Sequence, residues 1–341
     1  MSASPETVAY SDGMLDVGDG HAIYWRAEGD PAAPAVLIVH GGPGGALNLR
    51  WGEFLPDWRK IYFDQRGCGR SEPFGSTAYN TTAHLVDDIE RLRAHLGIDR
   101  WALFGGSWGT TLALAYGLAH PERCTGFLLR GVFLARREDL DWFLWDVRRV
   151  FPDAHAAFLD AIEKAAGRRP QSAAEAIALT GAPLAARDRA GVALAVAWNR
   201  FEATLSMVRR APTDASAAKR PEAAQQSAQE SEPSSEPSQA EIAASEKRAV
   251  AMALLERHYM AEVLPPEPLL DSIERIAHLP CHIVHGRYDM VCLPEQAFAL
   301  QRRWPGAKLE IAEDAAHATF EPGIAAALHR AAAALRAAVT A

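Results

Sequence analysis

The 341-residue chain has only four cysteines, Cys68, Cys124, Cys281 and Cys292, far apart and without C-x-x-C spacing. That sparseness argues against a zinc site and a disulfide framework, and reduced thiols in a cytoplasm are the simpler expectation. Excess positive charge is missing too: 35 Lys and Arg stand against 43 Asp and Glu, a net charge of −8. A nucleic-acid partner normally demands a basic face, so none is expected. No apolar run reaches membrane-spanning length, so no membrane partner is expected. Residues 1–6 have neither a basic region nor an apolar core, so no signal peptide is expected either. Residues 211–245 lack aromatics and almost all aliphatics, being Ala, Ser, Glu, Gln and Pro in the main. Such a stretch cannot bury enough apolar surface to offset its ordering entropy and reads as a disordered loop, weakly helical at most in its Ala-rich parts.

What is present can build a large core, since 49% of the residues are hydrophobic. The length is long for one domain and short for three, which fits one domain carrying a substantial insertion. Residues 22–25 follow the turn Asp19-Gly20 and read as one strand of an edge hairpin. A continuous apolar run at 35–39 reads as a strand covered on both faces, a short one at 101–104 as a buried strand, and 60–63 and 126–129 as further strands, with helices at 81–96 and 110–120 between them. That alternation is the signature of a doubly wound, mostly parallel α/β sheet. From 138 to 259 the pattern turns helical, at 140–150, 154–166, 173–179, 192–208 and 249–259. Sheet structure resumes at 281–284 and 308–311, and a helix over 323–338 closes the chain. The expected division is a core in two parts, 1–135 and 263–341, with an all-helical cap at 136–262 that contains the 211–245 loop. The cap aromatics Trp142, Phe143, Trp145, Trp198 and Phe201 read by default as cap core.

Between the strand at 101–104 and the helix after it stand Gly105, Gly106, Ser107, Trp108 and Gly109, a G-x-S-x-G turn. In that context the turn holds its serine strained and clear of the sheet edge, near a helix N-terminus that favours developing negative charge. A Gly/Ser-rich turn without chemistry is the bland alternative. The glycine loop His40 to Gly45 follows another strand, has no G-K-[ST] and no G-x-G-x-x-G, and carries a proline in its middle. It reads as an oxyanion loop rather than a phosphate cradle. Asp64 and Arg66, in the loop Asp64 to Ser71, read as braces.

A serine hydroxyl needs a base, itself oriented by a carboxylate, and in this sheet type the chain order is Ser, Asp or Glu, then His. Asp289 follows the penultimate strand and His317 the last one, so both arrive at the edge that carries Ser107. His282 lies within a strand, His278 and His329 fall in helical stretches, and His40 and His285 abut glycine loops as buttresses. Asp314 is a rival carboxylate, too close in sequence to His317 to stand on a separate loop.

The segments H-G-G-P-G (His40 to Gly44), D-Q-R-G-C-G-R-S (Asp64 to Ser71), G-G-S-W-G (Gly105 to Gly109) and G-R-Y-D (Gly286 to Asp289) together resemble the prolyl aminopeptidases, or proline iminopeptidases. The likeness runs from about residue 14 to the end, apart from the low-complexity stretch. It implies an α/β-hydrolase fold with an inserted helical cap, a serine peptidase that releases N-terminal proline from peptides, and no metal or cofactor. Within the cap, A-W-N-R-F-E (Ala197 to Glu202) and E-R-H-Y (Glu256 to Tyr259) resemble segments whose glutamates are implicated in holding the substrate's free amino group. The carry-over falls on Glu202 and Glu256, either of which also reads as an ordinary solvated helix glutamate. Phe201 stands where the family commonly has tryptophan, and Ala316 and Ala318 flank the histidine where it has G-H-S. Both departures bear on the shape of the proline pocket, for which Phe201 is a candidate wall.

The expected mechanism is acyl transfer to Ser107 with His317 as base and Asp289 as its orienting partner. The N–H groups of Trp108 and, by analogy with the loop, Gly42 would form the oxyanion hole. An esterase or amide hydrolase on the same fold is the first alternative, because fold does not fix substrate. A non-catalytic ligand-binding relative is the second. The expected partners are small peptides with a free N-terminal proline, and oligomeric state is left open.

Overall fold

The computed structural model describes residues 10–208, 238–265 and 268–340. Its spine is an eight-stranded sheet in the order β1-β2-β4-β3-β5-β6-β7-β8. The strands are β1 (Tyr10–Gly18), β2 (His21–Glu28), β3 (Ala35–Val39), β4 (Arg59–Phe63), β5 (Trp101–Gly106), β6 (Cys124–Arg130), β7 (Cys281–Gly286) and β8 (Lys308–Ala312). β1 and β2 form an antiparallel hairpin turning at Asp19 and Gly20, both at positive φ, and β2 lies antiparallel on β4. All later pairings are parallel.

The continuous apolar runs are continuous because each strand feeds two cores. Along β3, Ala35, Leu37 and Val39 enter one core and Val36 and Ile38 the other; β5 sends Trp101 and Leu103 one way and Ala102 and Phe104 the other. Side chains alternate across a strand, so a two-sided core demands apolar residues at every position. The first core is filled by helices α1 (Thr82–His95), α2 (Trp108–Ala119) and α8 (Pro294–Arg303). The second holds Trp51, Phe54 and Trp58 and the face of α9 (Pro322–Thr340) that carries Ile324, Leu328 and Leu335.

Between β6 and β7 the described residues hold helices and no strand: α3 (Arg137–Leu144), α4 (Pro152–Ala166), α5 (Ala173–Ala186), α6 (Arg189–Leu205) and α7 (Gln239–His258). Their mutual core includes Phe158, stacked on Phe201 at 4.9 Å, and Trp198 set edge-on to Phe158. The low-complexity loop expected at 211–245 lies outside the described residues up to 237. Its last part departs from that reading, because α7 begins at Gln239. A capping box explains the helix start: Ser238 Oγ accepts the Glu241 N–H, and the Glu241 carboxylate accepts the Ser238 N–H at 2.8 Å.

The loop after β4 is braced as its charges suggest. Arg66 reaches Asp88 on α1 through two bonds, 2.7 and 2.8 Å long, and also donates to the carbonyls of Tyr79 and Val17. Asp64 accepts the N–H groups of Leu47 and Arg70. The acidic middle of α1 is therefore partly turned inward, with Asp88 fully buried against its arginine. Replacing one partner of such a pair strands the other charge away from water. Asp88→Ala is expected to lower unfolding free energy by about 3–5 kcal/mol, read from urea denaturation at constant m-value.

Candidate active site

Three loops at the C-terminal edge of the parallel strands bring Ser107, Asp289 and His317 forward. Ser107 stands between β5 and α2 at φ 58° and ψ −129°, a conformation that L-residues seldom adopt. Two features hold it there. Its N–H donates to the Arg130 carbonyl at 2.9 Å, and its carbonyl accepts both the N–H and the hydroxyl of Thr110. The turn also needs α2 pressed against β3. A Cβ on Gly109 would lie 2.1 Å from the Val39 carbonyl oxygen, so only glycine permits that approach.

His317 Nδ1 lies 2.7 Å from Asp289 Oδ2, and the rival Asp314 does not take its place. The other carboxylate oxygen of Asp289 accepts the N–H groups of Val291 and Cys292 at 3.0 and 2.8 Å. Burial by itself would raise the Asp289 carboxyl. The charge of His317 and the hydrogen bonds from His285 and His317 outweigh it and hold the group below the ordinary carboxylate range. An ionised Asp289 can only accept, so His317 Nδ1 carries the proton of this bond, and in the neutral ring Nε2 is the nitrogen with the free lone pair. The expected buttress His285 accepts the Val132 N–H at Nδ1, and its Nε2 reaches both the Cys292 carbonyl and Asp289.

Arg130 at the end of β6 links Ser107 and His317, a contact that the sequence reading missed. Besides accepting the Ser107 N–H on its carbonyl, it donates from Nη1 to the His317 carbonyl at 2.8 Å, and that nitrogen stands 3.3 Å from His317 Nε2. Nothing in the sequence separates this arginine from a surface one, beyond its place at the end of an apolar strand. The helical insertion also grips the His317 loop: the N–H groups of His317 and Ala318 both donate to the Ser206 carbonyl at the end of α6.

A small pocket opens on Ser107 and is lined by Gly42, Phe133, Phe143, Met260, Val291, Cys292 and both glutamates, Glu202 and Glu256. Glu202 comes from α6 and Glu256 from α7. Neither is a freely solvated helix residue: Glu256 is 1% exposed, Glu202 is half-buried, and both carboxyl groups line the same pocket. Burial first, and then the charge of Glu202, push the Glu256 carboxyl well above its ordinary range. Burial also raises Glu202. Two neighbouring buried carboxyl groups favour a state in which one of them keeps its proton.

Phe201 is placed elsewhere. It packs inside the insertion against Phe158, Phe143 and His155, and the aromatic walls beside Ser107 are Phe133 and Phe143. One helical position separates Phe201 from Glu202, about 100° around the axis, so the glutamate that faces Ser107 turns its neighbour into the helical core. Phe133 went unnoticed in the sequence, although it follows β6 at the same sheet edge. All four cysteines are buried with free thiols, and Cys292 lies in the pocket wall. Among the described residues no group of His, Cys, Asp and Glu is arranged to hold a metal.

A family model for the alpha/beta hydrolase fold matches residues 34–323. A proline iminopeptidase of Xylella fastidiosa strain Temecula1 is 40% identical over 329 residues, covering 93% of this chain and 94% of its own. A proline iminopeptidase of Arabidopsis thaliana is 38% identical over 329 residues, 94% of this chain and 78% of its own. The chain belongs to the proline iminopeptidase family of α/β hydrolases. Solved structures share the fold at lower identity. A proline iminopeptidase-related protein of Thermus thermophilus is 20% identical at a TM-score of 0.59, over 97% of this chain and 99% of its own. An esterase of Exiguobacterium antarcticum is 18% identical at a TM-score of 0.58, over 96% of this chain and 99% of its own. Identity that low speaks for the fold alone, and these two names show that the fold does not decide between peptide and ester. Among the described residues no helix is long and apolar enough to cross a membrane.

The glycine loop of this iminopeptidase relative closes tightly over Ser107. A Cβ on Gly41 would stand 2.9 Å from the Gly106 carbonyl oxygen and 3.2 Å from Ser107 Cβ. Gly41→Ala is therefore expected to displace loop and serine from each other and to lower kcat by roughly 100-fold, with a smaller change in KM. Steady-state kinetics on a proline arylamide checks this.

Proposed function

We propose that this chain is a serine exopeptidase that releases proline from the free N-terminus of peptides, with Ser107, His317 and Asp289 as its catalytic residues. The observation that carries the reading is the pair Glu202 and Glu256, facing each other in the pocket that opens on Ser107. An exopeptidase must recognise a chain end, and the feature unique to this end is a cationic secondary amine. Two carboxylates in a partly desolvated pocket suit that cation. A close charge pair there couples by several kcal/mol, whereas an exposed pair contributes at most about 1. An esterase acting on neutral acyl groups would gain nothing from burying the same two groups, and burial would still cost it stability.

In this mechanism the ammonium sits between the glutamates, displacing the proton kept by one of them, and the pyrrolidine ring lies between Phe133 and Phe143. Ser107 Oγ attacks the first carbonyl carbon as His317 Nε2 takes its proton. Asp289 stabilises the imidazolium that results. The N–H groups of Gly42 and Trp108 receive the oxyanion. His317 then protonates the departing amine, the C–N bond breaks, and a water activated by the same imidazole hydrolyses the prolyl ester. We assign residues 136–262 the part of a cap that carries the amine site, over a core made of 1–135 and 263–341. The natural substrates are short peptides, and the location is a reducing cytoplasm, in keeping with four free thiols.

Two measurements check this reading. Glu202→Gln and Glu256→Gln should each lower kcat/KM for proline arylamide by roughly 10–1000-fold, a loss of about 1.4–4 kcal/mol, and barely touch hydrolysis of an acetate ester. Equal losses on both substrates would reduce the pair to a structural role. Ser107→Ala should lower kcat by roughly 10⁴-fold or more on either substrate. pH supplies the second check. A raised carboxyl pKa means that the pair keeps its proton at pH values where free carboxylates have lost theirs, and the protonated pair binds a cation poorly. KM for proline arylamide should therefore fall as pH rises beyond the ordinary carboxylate range, and KM for the acetate ester should not follow.

A further inference from the structure

The two N–H groups assigned to the oxyanion come from different segments, Gly42 from the loop after β3 and Trp108 from the first residue of α2. Both must lie about 2.7–3.1 Å from one oxygen, so their spacing has to be set by something that touches both segments. Gln65, in the loop after β4 and 1% exposed, does so. Its side-chain oxygen accepts the Trp108 indole N–H at 3.0 Å, and its side-chain nitrogen donates to the His40 carbonyl at 2.8 Å.

Its backbone completes the arrangement. The Gln65 N–H donates to His40 Nε2 at 3.1 Å, which leaves the ring proton on Nδ1, and Nδ1 donates to the Gly41 carbonyl at 2.9 Å. Burial keeps this imidazole below its ordinary pKa and so neutral, as the accepting Nε2 requires. The Gly41 carbonyl and the Gly42 N–H belong to one planar peptide unit and point in opposite directions. A bond that fixes the carbonyl therefore fixes the direction of the N–H.

We propose that Gln65 is a positioning residue for the oxyanion hole, coupling the Gly42 loop to the Trp108 turn through His40 and the Trp108 indole. The proposal rests on the reading of Ser107 as nucleophile and of those two N–H groups as donors. A glutamine that only held the fold together would, on removal, weaken all ligands alike. One that sets the spacing of the donors affects the tetrahedral state and leaves ground-state binding of the amine and ring in place.

Pyrrolidine-2-boronic acid separates the two. Ser107 Oγ adds to its trivalent boron while the hydroxyl proton passes to His317 Nε2, and the tetrahedral boronate anion carries an oxygen into the hole. Proline amide binds by amine and ring with an uncharged, planar carbonyl and without that adduct. Gln65→Met, which keeps the length and loses both side-chain bonds, should weaken boronate inhibition and lower kcat by roughly 10–100-fold each. Inhibition by proline amide and KM for proline arylamide should move by less than about 3-fold, since neither depends on the tetrahedral oxygen. Trp108→Phe removes one of those bonds from its other end without touching Gln65, and should give the same split even if Gln65→Met does not fold. The proposal is overturned if Trp108→Phe or a folded Gln65→Met keeps wild-type kcat and boronate affinity, or loses affinity for boronate and proline amide by equal factors. Wild-type protein that ignores the boronate, or a Ser107→Ala variant that binds it as tightly as wild type, would instead overturn the underlying mechanism.

Discussion

Ser107 is held at φ 58° between a strand and a helix that touch through glycine backbone, and the rest of the site is arranged around that strained turn. A serine released from it would relax toward an ordinary helix N-terminus with its hydroxyl turned toward the first-turn N–H groups. Three kinds of contact prevent this. Thr110 bonds the serine carbonyl, Arg130 takes the serine N–H, and the Gly41 loop leaves no space for a side chain between itself and the nucleophile. Each of these contacts also serves a neighbour. Thr110 accepts the Phe133 N–H and so sets one wall of the pocket, and the Arg130 guanidinium holds the backbone of His317. Strain of about 1–3 kcal/mol at one residue persists because the surroundings fix it from several sides.

The helical insertion adds the two glutamates of the proposed amine site. Glu202 on α6 and Glu256 on α7 meet over Ser107, and the end of α6 is bonded through the Ser206 carbonyl to the loop that carries His317. In the proposed mechanism, recognition of the amine and placement of the base thus share one helix. Burying two acidic groups together is unfavourable by itself, and a proton kept on one of them limits that cost. In the proposed mechanism a cationic substrate replaces that proton with a charge the pair can bind without internal repulsion.

Much of this was legible in the chain. Alternating apolar runs and helical stretches specify a doubly wound sheet, and chain order with strand position leads to Ser107, Asp289 and His317. Those features are local, or follow from the period of the sheet. The parts that were not legible depend on long-range approach. Arg130 looks like any strand-terminal arginine until the fold sets it against His317, 187 positions away. Phe201 and Glu202 are adjacent in a segment that resembles the family's, and only the rotation of α6 sends the glutamate toward Ser107 and the phenylalanine into the helical core. The start of α7 carried its own local signal, a serine three residues before a glutamate, hidden by the low-complexity composition around it.

The central claim is that the site reads a free, charged N-terminal amine before it cleaves. Acetylating the nitrogen of a proline arylamide removes that charge and adds bulk where Glu202 and Glu256 meet, while the scissile bond stays the same. The account predicts that the wild-type enzyme turns over the free-amine arylamide and shows no measurable turnover of its N-acetyl form under the same conditions. Efficient cleavage of N-acetylproline arylamide would contradict it.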